Sequence, residues 1–472
     1  MSKDNKTNGV SKSSEWFDAT LVNEKPSRLS GVVFVLLCLI PLLAAIAYGA
    51  VDNWALGLLT IGAGVIAVFW ILDAWMKGAF RFSANLLQLP LLGLILIGVV
   101  QLLPLRSPNV PAELLSVPAS GALSLDPYLT RLAVVLLIVY LVFFAAALVY
   151  LNNQKRLRRV VFTIIIFAAL MSFFGILQRL ANLDSIYGLR PSPQAIPFAS
   201  MVNQHHFAAF MEMSIGLTLG LLFGKAAKKD KNLLLIIAAV LMGIAVVLTG
   251  SRGGLLSLLG VIGFVVAANL LKRRVDGKSS GEAVNYRRNF ALIGGGIALL
   301  LVLFGSALLL GGDQSILRGV GLQDMKGDIS TGRTHFWQMA VKIIYDYPFL
   351  GSGLNSFGTV YTQYDTWNGA MRVEQAHNDY LQMLADAGVA GFLCIVAFIL
   401  LLFRQGLQII GKASDNFRRS AAVGALAGCF GILLHSFFDF PLRTPSNAFF
   451  FLLLTVIATA SISYPKLYKQ EK

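Results

Sequence analysis

Twelve long apolar runs dominate the sequence and restrict what the chain can fold into. All but a shorter tenth run approach the 20 or so apolar residues that a helix needs to cross a bilayer. Only 13% of the residues are charged, about half the share of a soluble protein. The pattern predicts an all-α polytopic membrane protein of about twelve spans, and it excludes a soluble enzyme, a disordered chain and a disulfide scaffold. The runs occupy residues 29–50, 54–75, 84–104, 130–151, 160–180, 203–223, 232–249, 253–271, 290–311, 389–403, 420–438 and 446–463.

The basic residues between the runs predict how the spans are oriented. With the N-terminus placed inside, the inner segments hold 28 of the 39 Lys and Arg residues, which is the excess that cytoplasmic loops carry. The basic runs are therefore interpreted as topology signals that contact membrane lipids, and not as a nucleic-acid site. The predicted organisation is a cytoplasmic tail at 1–28, helices 1–9 at 29–311, a large periplasmic loop at 312–388, helices 10–12 at 389–463 and a cytoplasmic tail at 464–472.

Arginine outnumbers lysine among the basic residues assigned to the outer side. Nine of those eleven residues are Arg, whereas Lys leads on the inner side by 16 to 12. A guanidinium group binds phosphates and carboxylates through two parallel hydrogen bonds. We therefore expect an anionic ligand outside the membrane, with snorkelling of Arg at helix ends as the simpler alternative.

The large outer segment contains one amphipathic helix and two glycine-rich stretches. Apolar residues recur at helical spacing over 334–347, and Pro348 ends the pattern, so a helix is expected on the membrane surface or on the bundle. The stretch GSGLNSFG at 351–358 lacks a preceding strand and a Lys-Ser/Thr pair, so it is interpreted as a connector and not as a nucleotide loop. Beyond it, His377 lies early on a helix that Gly388 should end.

Four motifs resemble those of one bacterial family. HNDYLQMLADAGVAG fits the pattern His-[Asn/Ser/Arg]-x9-Gly-x-x-[Gly/Thr/Tyr] of the O-antigen ligase and polymerase superfamily, with His377, Asn378, Gly388 and Gly391 in the defined positions. TGSRGGLLSLL at 249–259 resembles the Arg-x-x-x-Leu element of that family. The segments 197–213 and 435–448 resemble elements of an exopolysaccharide-type subgroup. The resemblance covers roughly 160–463, and the twelve-span layout with a late outer loop matches as well.

The resemblance implies an inverting, metal-independent, GT-C-like glycosyltransferase of the bacterial inner membrane. Such an enzyme needs no cofactor and moves a glycan from undecaprenyl pyrophosphate to an acceptor on the periplasmic side. The acceptor is lipid A–core in a ligase and another lipid-linked repeat unit in a polymerase. The exopolysaccharide-type motifs favour polymerase-like chemistry slightly, but ligase and polymerase both remain open.

The chemistry of that reaction assigns roles to the outer Arg and His residues. A departing lipid pyrophosphate needs charge stabilisation by Arg, Lys or a metal, and the outer loops show no dense carboxylate cluster that would hold a metal. Arg252, in a short outer break, and Arg190, where the family carries its other Arg, are the predicted pyrophosphate ligands. His377 is the predicted base for the acceptor hydroxyl. Further candidate substrate contacts are Arg179 (the alternative to Arg190), His205, His206, Arg333, Arg372, Asn378 and Arg443.

Several assignments stay open at this stage. His435 is expected to form a buried packing network with Asp439 and Arg443, and Glu212 lies within a span without an assigned partner. A secondary transporter of twelve helices is the main alternative function. A transporter, however, places its charges at the midplane, whereas the charges of this chain lie at the interfaces. A structural membrane protein is a third class, and the specific Arg and His elements argue against it.

Overall fold

The structure, a computed structural model, describes residues 27–107, 120–181, 185–192, 195–227, 229–280, 332–367 and 372–460. Two short 3-10 turns (Tyr48–Ala50 and Pro441–Arg443) and one antiparallel pair of two-residue strands, β1 (Ser185–Ile186) and β2 (Arg190–Pro191), accompany the helices. The helices are α1 (Arg28–Ile46), α2 (Asn53–Lys77), α3 (Gln88–Gln101), α4 (Pro127–Tyr150), α5 (Gln154–Leu180), α6 (Gln204–Phe223), α7 (Lys229–Leu248), α8 (Arg252–Ser280), α9 (Arg333–Asp346), α10 (Phe357–Tyr361), α11 (Asp379–Lys412), α12 (Asn416–His435) and α13 (Pro445–Thr459).

Eleven of the twelve apolar runs coincide with helices. In the part of the chain that the structure describes, nine helices are long and apolar enough to cross a membrane, and α3 and α13 are shorter apolar helices. The predicted fold class, an all-α polytopic membrane protein, is therefore confirmed. The ninth run (290–311), residues 312–331 of the predicted loop, the tail 464–472 and nearly all of the tail 1–28 lie outside the described residues.

A seam of glycines joins α6 to α12. A Cβ atom on Gly220 would lie 2.5 Å from Cα of Gly424, and one on Gly216 would lie 2.5 Å from the backbone nitrogen of Gly428. Small residues four apart on both helices let the two backbones approach closely, as in other membrane helix pairs. The seam therefore fixes α6 against α12, and with them the polar residues near one end of the pair.

The connector at 351–358 wraps around a break in α11. Gly388 has a φ of +61° and a non-helical ψ, and the amide of Gln101 on α3 donates to the carbonyls of Leu350 and Asp386. The same side chain accepts from the backbone N–H of Leu354 at 2.8 Å. Both expectations are confirmed: the stretch is a connector, and the helix that follows His377 stops at Gly388.

Helix α9 packs on the bundle through its apolar side. Phe336, Met339, Ala340 and Ile343 are buried in a cluster shared with α10 and the first half of α11. The predicted helix over 334–347 is thus confirmed, and it lies against other helices. This packing brings the start of α9 close to the start of α11.

Candidate active site

The turn that follows α12 is tied to the first residues of α11. The backbone N–H of Asp379 donates to the Ser436 carbonyl at 2.9 Å, and the Ser436 hydroxyl donates to the Asp379 carboxylate at 2.8 Å. Asn378 donates from its amide to the Phe437 carbonyl, while its amide oxygen caps α11. Asn378, a predicted substrate contact, therefore joins the start of α11, next to His377, to the turn after α12.

His377 lies in this turn region with a constrained backbone. Its φ of +50° is uncommon for a residue other than glycine. Its Nδ1 lies 3.1 Å from Oδ1 of Asp439, and its ring lies edge-on to Phe440 and beside Phe336. The side chain is 30% exposed. Because Nδ1 is directed at the carboxylate, Nε2 is the nitrogen left for a substrate.

Asp439 is buried between His377 and Arg333. Nη2 of Arg333 lies 3.5 Å from Oδ2 of Asp439, and the backbone N–H of Phe440 donates to Oδ1. Burial alone would raise the pKa of the Asp439 carboxyl, but the hydrogen bond from His377 and nearby histidine charges hold that pKa well below its usual range. The ionised carboxylate therefore accepts the Nδ1 proton and fixes the tautomer of His377.

Arg333, a predicted substrate contact, keeps one buried donor unused by the described residues. Its Nε is buried and has no hydrogen-bond partner among them. Oδ2 of Asp439 is likewise buried and has no hydrogen-bond partner among the described residues. Buried polar groups of this kind are normally satisfied by protein, water or a ligand. The Arg333 Nε–H is thus a donor that a ligand oxygen could use next to His377.

Arg252 is the first residue of α8 and follows a tight turn. Gly250 has a φ of +64°, and the Ser251 hydroxyl caps the helix by accepting from the Gly254 N–H at 3.1 Å. The guanidinium group therefore starts at a helix N-terminus, where the helix dipole and the free N–H groups favour an anion.

His205, at the start of α6, shows that these charges form one neighbourhood. The side chain lies within electrostatic reach of Arg252, Arg333, His377 and Asp439. The predicted base and one predicted pyrophosphate ligand are thereby brought to the same end of the bundle, although they lie on different helices.

His206 has a structural set of partners. Its Nδ1 lies 2.6 Å from the Thr444 hydroxyl, and its backbone carbonyl accepts from the Asn447 amide. Its ring also lies edge-on to Phe440, which in turn touches His377. His206 therefore supports the wall behind His377.

Glu212 and His435 form a buried pair next to the turn that carries Arg252. Oε1 of Glu212 lies 3.0 Å from Nδ1 of His435, and both side chains are almost fully buried. On the other side of the ring, Nε2 lies 3.5 Å from the Ser251 hydroxyl. A Cβ atom on Gly253 would come within 3.1 Å of the His435 ring. The pair thus packs against the turn that carries Arg252.

Arg190 is engaged by a carboxylate. Its two terminal nitrogens lie 2.5 and 3.0 Å from the two oxygens of Asp52, and its guanidinium lies over the Tyr48 ring. A Cβ on Gly49, next to Tyr48, would lie 2.9 Å from Thr444, so this region adjoins the residue that binds His206. Arg179, the alternative, lies in the last turn of α5.

The two remaining predicted contacts have different surroundings. Arg372 pairs with Glu374 at 3.1 Å on the surface, with its side chain 83% exposed. Arg443 lies 2.7 Å from Asp386 and also contacts Asp379 and Asn355. Arg443 therefore ties the turn after α12 to α11 and to the connector, whereas Arg372 is open to solvent.

The structure corrects the expected network around His435. His435 binds Glu212, Asp439 binds His377 and Arg333, and Arg443 binds Asp386. The partner of Glu212 was missed from the sequence. The Gly-x3-Gly spacings at 216, 220 and 424, 428 were the signal that could have found it, since they predict that α6 packs against α12.

One comparison with known proteins bears on this arrangement. Residues 237–396 match the family model described as O-antigen ligase. The match covers 160 of the 472 residues and supports the O-antigen ligase and polymerase superfamily that the motifs indicate. The matched range contains Arg252, Arg333 and His377, whereas Arg190 and Asp439 lie outside it. None of the curated proteins matches the chain.

This match favours one of the classes that the sequence left open. O-antigen ligase and polymerase proteins are glycosyltransferase-type enzymes that act on a lipid-linked glycan donor and a glycan acceptor. The match and the apolar helices together support a multi-pass bacterial membrane protein with that type of activity. The transporter and the structural membrane protein are set aside.

Proposed function

We propose that this O-antigen ligase superfamily member transfers a glycan from undecaprenyl pyrophosphate to an acceptor sugar at the periplasmic face of the inner membrane, with both chain termini in the cytoplasm. The acceptor is lipid A–core or another lipid-linked repeat unit. The observation that carries the proposal is the contact of 3.1 Å between Nδ1 of His377 and Oδ1 of Asp439, in the same charged neighbourhood as Arg252.

In the proposed reaction the acceptor hydroxyl attacks the anomeric carbon of the donor glycan. Nε2 of His377 takes the hydroxyl proton as the new glycosidic bond forms. The bond between the anomeric carbon and the pyrophosphate oxygen breaks, and the lipid pyrophosphate leaves with the electron pair. A single displacement of this kind inverts the anomeric configuration.

The leaving pyrophosphate requires positive charge at the place where its own charge develops. Arg252 supplies it from the start of α8, and the buried Nε–H of Arg333 adds a donor near His377. Arg190 is proposed as a second phosphate ligand that stays paired with Asp52. A guanidinium has five N–H donors, and the ion pair with Asp52 uses two of them. Arg179 is the competing candidate for that second position.

The proposed enzyme uses arginine where other transferases use a metal. Among the described residues, no three His, Cys, Asp or Glu side chains are grouped as a metal site requires. We expect the purified protein to transfer glycan at an unchanged rate in EDTA. Loss of activity on chelation, with recovery after a divalent ion is added back, would contradict this part of the proposal.

The test of the base is a pair of substitutions at His377 in the purified, lipid-embedded protein. His377→Ala should lower the transfer rate about 10²- to 10⁴-fold, the contribution of a positioned acid or base, while the lipid-linked donor still binds. His377→Gln, which can orient a hydroxyl but is a poor base, should be nearly as slow.

Asp415→Asn is the control variant, because Asp415 caps α12 and Asn caps a helix equally well. It should retain the transfer rate. A near-normal rate in His377→Gln would make His377 an orienting group. Loss of donor binding in His377→Ala, with normal turnover of bound donor, would place the residue in the phosphate site.

A further inference from the structure

A cluster of rings extends outward from His377. The ring of Trp367 stacks on His335, with centroids 4.2 Å apart and planes at 7°. Phe336 contacts Trp367 at 5.7 Å and His377 at 5.8 Å. We call Trp367, His335 and Phe336 the aromatic platform. It places Trp367 two ring contacts away from the predicted base.

His335 and Phe336 contact Trp367 and still leave it accessible. One face of the indole is covered by His335, and its edge meets Phe336. The indole nevertheless remains 42% exposed, whereas Phe336 beneath it is 6% exposed. An indole that is supported on one face and open on the rest is a surface on which the C–H face of a pyranose stacks.

Polar groups surround the platform. Oδ1 of Asp365 lies 2.9 Å from Nε2 of His335, and it accepts from the Tyr361 hydroxyl and from the backbone N–H of Trp367. The hydrogen bond from His335 lowers the pKa of the Asp365 carboxyl, so the group stays ionised at neutral pH. A stacking face next to a fixed carboxylate matches a sugar, which presents an apolar face and a rim of hydroxyl groups.

The platform is connected to the proposed base. Trp367 reaches His377 through Phe336. In the proposed reaction His377 takes the proton of the acceptor hydroxyl, so the acceptor sugar lies beside this imidazole. Taken with the proposed function, on which this step rests, the acceptor glycan is therefore the ligand that fits the platform.

We propose that the aromatic platform is a binding subsite for a sugar ring of the acceptor glycan, with Trp367 as the stacking residue and Asp365 as a hydrogen-bond acceptor. A short oligosaccharide can bridge from Trp367 to His377, so the subsite holds a sugar adjacent to the one that carries the reacting hydroxyl. It contributes to acceptor affinity and register, and it takes no part in the bond-breaking step.

The test compares Trp367→Ala, Trp367→Tyr and the wild type in lipid nanodiscs. The probe is a short oligosaccharide, released by mild acid from the polysaccharide of the bacterium that makes this protein. Trp367→Ala should raise the acceptor KM about tenfold, equivalent to about 1.4 kcal/mol, with kcat and the donor KM unchanged. Trp367→Tyr, which keeps a ring and a polar atom, should recover most of the affinity.

The matched control is Trp75→Ala, because Trp75 is 80% exposed at the far end of α2; its acceptor KM should equal that of the wild type. A direct measurement supports the kinetics: the oligosaccharide should change the tryptophan fluorescence of the wild type and of Trp75→Ala, and leave that of Trp367→Tyr unchanged.

The outcomes separate this inference from the proposed base. If His377→Ala remains fully active while Trp367→Ala still binds the oligosaccharide poorly, the base assignment fails and the subsite stands. If Trp367→Ala leaves both the acceptor KM and oligosaccharide binding unchanged, the subsite is wrong whatever His377 does. A rise in the donor KM alone would assign the platform to the donor glycan and overturn the acceptor assignment.

Discussion

Replacing Asp439 by Asn tests whether the buried carboxylate sets the tautomer of His377. The carboxylate accepts the Nδ1 proton at 3.1 Å, which leaves Nε2 free to act as a base. An Asn amide can donate to Nδ1 instead, and the proton of the ring then moves to Nε2, where it blocks proton uptake. The expected consequence is a slow enzyme that still folds and still binds both substrates.

The size of the effect follows from the type of hydrogen bond. A hydrogen bond to a charged group contributes about 1.5–3 kcal/mol, which corresponds to about a 10- to 150-fold loss in rate. The loss should appear in kcat with little change in either KM. Initial rates of transfer by purified Asp439→Asn, measured over a range of acceptor concentrations, give both constants.

The charge of Asp439 also predicts how the stability of this variant depends on pH. Its pKa in the folded protein lies below the unfolded value of about 3.9. The stabilisation is therefore fully present above that pH and is lost as the pH falls through the folded pKa. The difference in Tm between the wild type and Asp439→Asn should therefore decrease as the pH is lowered below about 4.

The matched control is Asp415→Asn, because Asp415 only caps α12 and Asn caps a helix equally well. Its rate should be that of the wild type. The argument is refuted if folded Asp439→Asn protein turns over within about threefold of the wild-type rate, since the carboxylate would then not control His377.

Four further predictions follow from the packing, the buried pair, the phosphate site and the topology. Gly220→Ala should destabilise the protein by about 1–3 kcal/mol through overpacking against Gly424. Gly57→Ala should not, because there is open space around Gly57; equal Tm values for the two variants would contradict the close packing of α6 against α12. Glu212→Leu should cost about 1–3 kcal/mol in unfolding free energy by leaving His435 Nδ1 unpaired, while Glu212→Gln should cost less; the reverse order would exclude a hydrogen-bonded pair. Arg252→Lys keeps the charge but loses the two-pronged geometry, so donor turnover should fall with protein abundance unchanged; a wild-type rate would remove Arg252 from the phosphate site. In a background without the native cysteines, an impermeant thiol reagent applied from outside should label Thr362→Cys and not Lys155→Cys; the opposite pattern would invert the proposed topology.

The site was partly predictable because some of its residues fall in short motifs. His377 and Arg252 stand out in local patterns, and each lies at a position that one helix end or turn controls. The carboxylates that meet the histidines do not stand out in this way. Asp439 lies 62 positions from His377, and Glu212 lies 223 positions from His435. Which carboxylate meets which imidazole depends on helix packing, and apolar periodicity says little about packing inside a membrane.

The sequence by itself determined the helical class, the positions of the apolar helices, a helix over 334–347 and the stop at Gly388. These features depend on the length of apolar runs, on helical spacing and on the freedom of glycine, all of which act within a few residues. Tertiary structure alone decided that Arg190 meets Asp52, that Arg443 meets Asp386 and that Trp367 and His377 share Phe336. Such contacts join segments that are distant in the chain, because a buried polar or aromatic side chain takes its partner from whichever helix packs against it.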